Sequence, residues 1–401
     1  MQILLTSPEK ELLSLLQAGL FHTGSETIDP SNLDSILKLA WDHAVFPLVY
    51  PVLDGEIEEE DRQKWKQYAD INLTSNMRVS YAHCDLHHFM TDHHIPYVTL
   101  KGCASAAFYP EPLRRPMGDV DFYVDSKDFE MAKQTMIESG YTLLHKDCRH
   151  HFEFDKEGIE YELHYDFSGI PEGDTEEKIR GYLSDIVEKS TELNVLDGKI
   201  IVPSPFHHGL IMILHFCRHL FVGGIGLRHL CDWAVFAHSI GNEFSAIFEK
   251  SFKEVGLWEF ARIMTATCQK YLGLPVQMWV GEVQDNIVDG LIADIIHAGN
   301  FGNQRTGREA WLTGNINSGG LAQKSVFRQM VKNCFDTAKL HWPLARKCKV
   351  ISAVGAVYYV IRFLILRVFG KREKLDIKHM MKSAGERRKL YEQFRLFIPE
   401  E

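Results

Sequence analysis

The sequence predicts an α+β protein, a small mixed β-sheet flanked by N-terminal and C-terminal helical regions. Two observations carry this. Residues 94–202 alternate strand-like and helix-like signals, whereas the chain on either side repeats its apolar residues at helical spacing. The organisation expected is a helical region over 1–93, a sheet-bearing core over 94–202, a helical support domain over 203–320 and a C-terminal helical segment over 321–401 that is both basic and apolar.

The N-terminal region opens with an apolar stripe at Leu12, Leu13, Leu15 and Leu16. Ile36, Leu37, Leu39, Ala40 and Trp41 continue it and end near Phe46-Pro47. After the acidic turn at Glu56–Asp61, residues 65–90 lack Gly and Pro and predict one long helix. The His93-His94-Ile95-Pro96 turn then feeds a first strand, Tyr97–Leu100. Gly102–Tyr109 predicts a short helix of small residues. Ser126 is the expected N-cap of a helix running to Ser139 and stopped by Gly140. Tyr141–Leu144 and His151–Phe154 read as strands, and Gly158–Phe167 pairs back through the Lys156-Glu157-Gly158 turn.

From residue 205 helices return, over Pro205–Leu220, Leu227–His238, and near 245–272 and 280–298; Phe301–Gly320 reads as an irregular loop. Val350–Phe369 is nearly all apolar, with Arg346, Lys347 and Lys349 before it and Lys371, Arg372 and Lys374 after it. Its length would span a bilayer, but Arg362 and Arg367 argue against a simple span. A buried helix and a helix lying at a membrane surface are the other two placements.

Chemistry concentrates in residues 100–164. Asp119 and Asp121 sit two apart in a strand-like run, so both point to one face while Val120 and Phe122 point to the other. Two carboxylates with an incomplete protein shell suit Mg²⁺, with Mn²⁺ as a substitute. Gly102 closes a strand-to-helix turn that would let a phosphate approach the backbone, and Lys101 beside it would reach that phosphate. Arg114 and Arg115 precede the acidic pair and suit bidentate phosphate recognition. Downstream, Glu160, Glu162 and His164 share one strand face, and either acid would complete a two-metal site.

Taken in order, Leu100-Lys101-Gly102, Arg115-Pro116-Met117-Gly118-Asp119-Val120-Asp121 and Glu162-Leu163-His164 resemble the nucleotidyltransferase superfamily that includes DNA polymerase beta. The nearer likeness is to its uncharacterised bacterial branch with a Leu-Lys-Gly turn and an Arg-Pro-x-x-Asp-x-Asp segment. The resemblance is densest over residues 95–167. It implies a DNA polymerase beta-like fold and transfer of a nucleotidyl group from ATP or another nucleoside triphosphate to a hydroxyl, releasing pyrophosphate. It also implies Asp119, Asp121 and Glu162 as metal-holding catalytic residues, chooses Glu162 over Glu160, and prefers Arg115 to Arg114. Lys101, Gly102, Cys103 and Arg115 become the expected nucleotide contacts. Cys103 departs from the Ser found in many members, and the stretch from Gly102 to Asp119 is longer than in many.

Composition narrows the partners. A net charge of −10 and a pI near 6.1 leave no global basic field for long nucleic acid. Eight scattered cysteines without a Cys-x-x-Cys pair indicate neither a zinc ribbon nor a disulfide scaffold and fit reduced thiols in the cytoplasm. Met1–Lys10 has no basic stretch ahead of a long apolar run, so no secretory signal is expected. The expected partners are a nucleoside triphosphate and a small-molecule, glycan or peptide acceptor, with peripheral membrane contact through 350–369. A non-catalytic nucleotide-binding or assembly module, and a small toxin-neutralising transferase, are the other classes.

Among further constellations, His208, His215 and His219 share a helix face, but His208 and His215 lie too far apart along it to hold one zinc ion. His164, His215 and His219 stay as expected pocket residues. Phe221–Leu227 reads as a glycine-rich turn between two helices. Arg228 and Asp232 are spaced to pair on a helix. The family branch has a similar Leu-Arg-x-x-x-Asp helix, which implies a supporting pocket role for Arg228.

Overall fold

The structure is a computed structural model that describes residues 5–24, 27–53, 57, 59–148, 150–300, 316–317, 320–321, 326–342, 344–345, 348–368 and 377–400. Three helices open the chain, α1 (Ser7–Phe21), α2 (Leu33–Asp42) and α3 (Phe46–Leu53). The sequence expectation ended this stripe at Phe46-Pro47, yet α3 starts there. Proline fits the first turn of a helix, where its missing N–H costs no bond. The 34-residue α4 (Glu59–Asp92) follows and delivers the chain to β1 (Val98–Thr99).

The core is a five-stranded sheet in the order β1-β2-β5-β4-β3. Its other strands are β2 (Asp119–Tyr123), β3 (Thr142–Cys148), β4 (His151–Lys156) and β5 (Ile159–His164). Only β2 and β5 pair in parallel. The β4–β5 turn sits at Glu157 and Gly158, both with positive φ (57° and 73°), the geometry of a tight two-residue hairpin. Helices α5 (Cys103–Ala106) and α6 (Phe129–Glu138) occupy the β1–β2 and β2–β3 connections. The cap of α6 is Asp128 rather than Ser126, because the Asp125–Asp128 turn, closed by a 2.9 Å backbone bond, comes first. Helix α7 (Asp174–Leu183) and the hairpin of β6 (Thr191–Val195) and β7 (Gly198–Val202) lead out of the sheet.

Helices α8 (Pro205–Val222), α9 (Leu227–Ile240), α10 (Phe244–Val255), α11 (Trp258–Leu272) and α12 (Asp285–Ala298) follow. Two apolar cores result. One joins α1–α3 to α8–α12 and to Tyr391–Phe397; the other fills the space between the sheet, α4 and α6. Toward the C-terminus the helices Val326–His341, Lys349–Val368 and Ile377–Gln393 are described. The last is fixed to α12 by Arg387, whose Nε donates to Asp294 Oδ1 at 2.9 Å in a buried setting. Most of the loop expected over Phe301–Gly320 lies outside the described residues; Ile316-Asn317 pairs with Gly320-Leu321. Among the described residues, no helix is long and apolar enough to cross a membrane.

Candidate active site

The parallel β2–β5 pair sets Asp119 opposite Glu160 and Asp121 opposite Glu162. Period-two alternation buries Val120, Phe122, Tyr161 and Leu163 in the core and leaves the acids on the other face. There one carboxylate oxygen each of Asp119, Asp121 and Glu162 lies within 4.8 Å of the other two. Glu160, more exposed, groups with Glu153 and Glu162 instead. The first trio is an all-oxygen donor set on a partly open face, which fits a hard divalent cation.

Lys101 reaches this trio from the end of β1. The Leu100 N–H donates to the Asp121 carbonyl (3.0 Å), and Lys101 Nζ donates to Asp121 Oδ1 at 2.7 Å. His164 Nε2 lies 3.0 Å from Asp121 Oδ1 and 3.1 Å from Glu162 Oε2. Ionised carboxylates only accept, so that nitrogen carries a proton and clamps the two acids together. Burial alone would raise the Asp121 carboxyl, but Lys101 and His164 hold it well below the usual range. Asp119 goes the other way. The negative charge of Asp121 and then burial push it up to about 6. Burial would lower the Lys101 ammonium, yet Asp121, Asp119 and Glu162 together raise it.

Gly102 turns the chain at φ 55°, and a Cβ there would lie 2.6 Å from His83 Nε2. His83, buried on α4, has its Nδ1 on the Val79 carbonyl at 2.8 Å, which leaves its Nε2 facing the Gly102 turn. The Cys103 side chain lies in the core, with Sγ 3.5 Å from Ser80 Oγ and 3.9 Å from Met117 Sδ. Any nucleotide contact at this position therefore falls to its backbone.

The loop into β2 is held from two sides. Asn76 of α4 donates to the Leu113 carbonyl (2.7 Å) and accepts from the Met117 N–H (3.0 Å). Arg115 donates from Nε and Nη2 to the two oxygens of Asp232 on α9, at 2.7 and 2.9 Å, and Tyr109 OH donates to the same carboxylate at 2.7 Å. Arg115 thus anchors the loop through Asp232, the partner the sequence had assigned to Arg228. Arg228 Nη1 donates to the Pro116 carbonyl (3.3 Å), and its charge acts on both Asp232 and Asp119.

A cavity of about 60 Å³ lies between the sheet and α8–α9, walled by Lys101, Gly102, Ser105, Arg115, Asp119 and Asp121 on one side and His208, His215, Arg228 and His229 on the other. His219 meets His215 edge to face, with ring centroids 4.3 Å apart. Burial holds His208 down to about 4 and His219 to about 3, and puts His215 and His229 well below the usual imidazole range. The imidazoles on this side are therefore neutral, and the far wall's positive charge comes from Arg228. The glycine turn between α8 and α9 is no phosphate loop: the Gly226 N–H donates to His229 Nδ1 at 3.1 Å, and a Cβ at Gly226 would lie 2.8 Å from Asn300 Cα.

The fold brings together Lys101, Gly102, Arg115, Asp119, Asp121, Glu162, His164, His215 and Arg228 of the residues singled out in the sequence. His83, Asn76, Tyr109 and Asp232 were missed in these roles. Only Asp232, an acid in the apolar run Leu230–Ala237, carries a signal that could have marked it; Asn76 and His83 lie on the mostly polar α4, where a buried polar side chain does not stand out. A family model described as an uncharacterised nucleotidyltransferase matches residues 29–273. No curated protein matches the chain.

Proposed function

The chain belongs to this uncharacterised nucleotidyltransferase family, and from that premise we propose that it moves a nucleotidyl group from a nucleoside triphosphate to a hydroxyl acceptor. The observation that carries the reading is the convergence of Asp119, Asp121 and Glu162 within 4.8 Å beside Lys101. In the reaction, the acceptor oxygen forms a bond to the α-phosphorus, the bond to the β-phosphate oxygen breaks, and pyrophosphate leaves.

Asp119, Asp121 and Glu162 would hold Mg²⁺, or Mn²⁺ in its place. When bound, such ions polarise phosphoryl oxygens and neutralise the charge that builds on them. Glu162, at the edge of the trio, takes the acceptor proton. His164 fixes Glu162 and Asp121 relative to each other. The backbone at Gly102 and Cys103 lines the triphosphate path, where a side chain at 102 would meet His83. Lys101 and Arg228 supply positive charge to the departing pyrophosphate. Arg115 keeps the acid-bearing loop in place through Asp232. His215 offers a neutral donor or acceptor on the opposite wall, with the His219 ring packed against it.

Titration calorimetry with ATP, GTP, CTP and UTP, each with and without Mg²⁺, tests this. At least one should bind in a metal-dependent way, and Asp119→Asn should lose that binding. Equal binding by the variant, or none by the wild type, sinks the assignment.

A second reading, nucleotide binding without turnover, is favoured by one contact set. Asp121 Oδ1 is already engaged by both Lys101 and His164. Metal-dependent binding without pyrophosphate release across sugar, peptide and small-molecule acceptors would select it.

A further inference from the structure

The helix Lys349–Val368 has two unlike faces. Ser352, Gly355 and Ala356 are buried against the helix Val326–His341, and a Cβ at Gly355 would lie 2.8 Å from that of Ala338. The outward face is not polar. Val350 (71% exposed), Val354 (56%), Val357 (57%) and Ile361 (49%) follow one another at steps of four, three and four, with Tyr358 (47%) beside them. Scattered exposed aliphatic residues need no explanation, but a continuous row along about 16 Å of helix does.

Charge says what covers it. Between Asp336 and Glu373 the sequence carries eight Lys and Arg and no acid, in a chain whose net charge is −10. Lys349 and Arg362, both exposed, stand at the two ends of the row. We propose that this row, with its basic flanks, docks the protein on an anionic lipid bilayer with the helix lying in the surface plane. Aliphatic side chains enter the boundary of the acyl region, Tyr358 sits at headgroup depth, and the cations meet lipid phosphates. A second copy is a poorer occupant, because pairing two such rows would set like charges together. Single-stranded nucleic acid is poorer too, since it is gripped by exposed aromatic faces rather than by valines. The proposal stands independently of the nucleotidyl-transfer reading.

Sedimentation of the full chain with vesicles decides it. The protein should pellet with phosphatidylcholine–phosphatidylglycerol vesicles, little with phosphatidylcholine alone, and less as salt rises. Lys349→Gln with Arg362→Gln should weaken binding by roughly fivefold per charge removed. Val354→Asp with Val357→Asp should weaken it by on the order of tenfold or more. These positions are exposed, and far-UV melts check that each variant folds; should the valine pair unfold, the charge pair decides. Three outcomes overturn the proposal: binding that ignores lipid charge, pelleting unchanged in both variant pairs, or no pelleting at all. In that last case, light scattering that shows a dimer sensitive to Val357→Asp would assign the row to a second copy. Retention of an oligonucleotide would instead assign its flanks to nucleic acid.

Discussion

Arg115 and Asp232, 117 positions apart, face each other through two hydrogen bonds of 2.7 and 2.9 Å, and neither residue is more than 6% exposed. The fork of the guanidinium matches the two carboxylate oxygens. The loop that delivers Asp119 and Asp121 is thereby tied to α9, so the acids are aimed partly by a helix outside the sheet.

Breaking this pair strands a buried charge. Asp232→Ala should destabilise the protein by about 3–5 kcal/mol. Adding Arg115→Met should restore a large part of that loss, because no charge is then left in the apolar interior. Denaturant melts of the two singles and the double read this out; a double as unstable as the sum of the singles would show that the pairing is not the cause.

At Gly102 backbone and packing act together. Gly102→Ala meets His83 Nε2 at 2.6 Å and forces a side chain on to φ 55°. A loss of about 1–3 kcal/mol is expected. His83→Ala in the same chain should relieve the contact but not the backbone strain. A thermal melt of Gly102→Ala matching the wild type would contradict this geometry.

Acid should destabilise the fold through its buried imidazoles. Burial holds His43 and His208 down to about 4 and His219 to about 3. Unfolded histidine titrates near 6.5. Below that pH the unfolded chain takes up protons that the folded chain refuses, so stability falls as pH drops from about 6.5 toward 4. Above 6.5 these three contribute no slope. A Tm that stays flat through this window would show that these rings protonate in place.

The carboxylate trio should couple stability to Mg²⁺. Metal at a hundred times its Kd should add about 2.7 kcal/mol. Asp119, pushed up to about 6 by Asp121 and by burial, keeps its proton below that pH. The Mg²⁺-dependent rise in Tm should therefore be smaller at about pH 5 than at about pH 8. Asp119→Asn should remove both the rise and its pH dependence, and a rise that survives in the variant would place the metal elsewhere.

The sequence disclosed whatever rests on local periodicity. The alternation in Asp119–Tyr123 and Ile159–His164 was enough to put the acids on one face and Val120, Phe122, Tyr161 and Leu163 on the other. It left Glu160 and Glu162 equivalent, since both share that face. What separates them is the parallel register and the neighbours it supplies, with Glu162 brought beside Asp119 and Asp121. Long-range pairings were beyond reach for a different reason. Asp232 has a helix-spaced cation at Arg228, and local spacing favours it. Only the packed fold shows Arg115 and Tyr109 arriving first. Still, an acid inside the buried run Leu230–Ala237 had to have a buried partner somewhere. The hairpin β6–β7 went unseen because its first strand is mostly exposed and alternates weakly.

The Asp121–Glu162 register also makes the site a reporter of its own folding. A slip of one position between β2 and β5 would bring Tyr161 or Leu163 to where Glu162 stands and drive its carboxylate into oil. The misaligned sheet keeps Asp119 and Asp121, which share one strand, but loses the third acid of the trio. Chains that have collapsed but not registered offer the cation two carboxylates in place of three, so ligand added during refolding should favour the correctly zipped molecules.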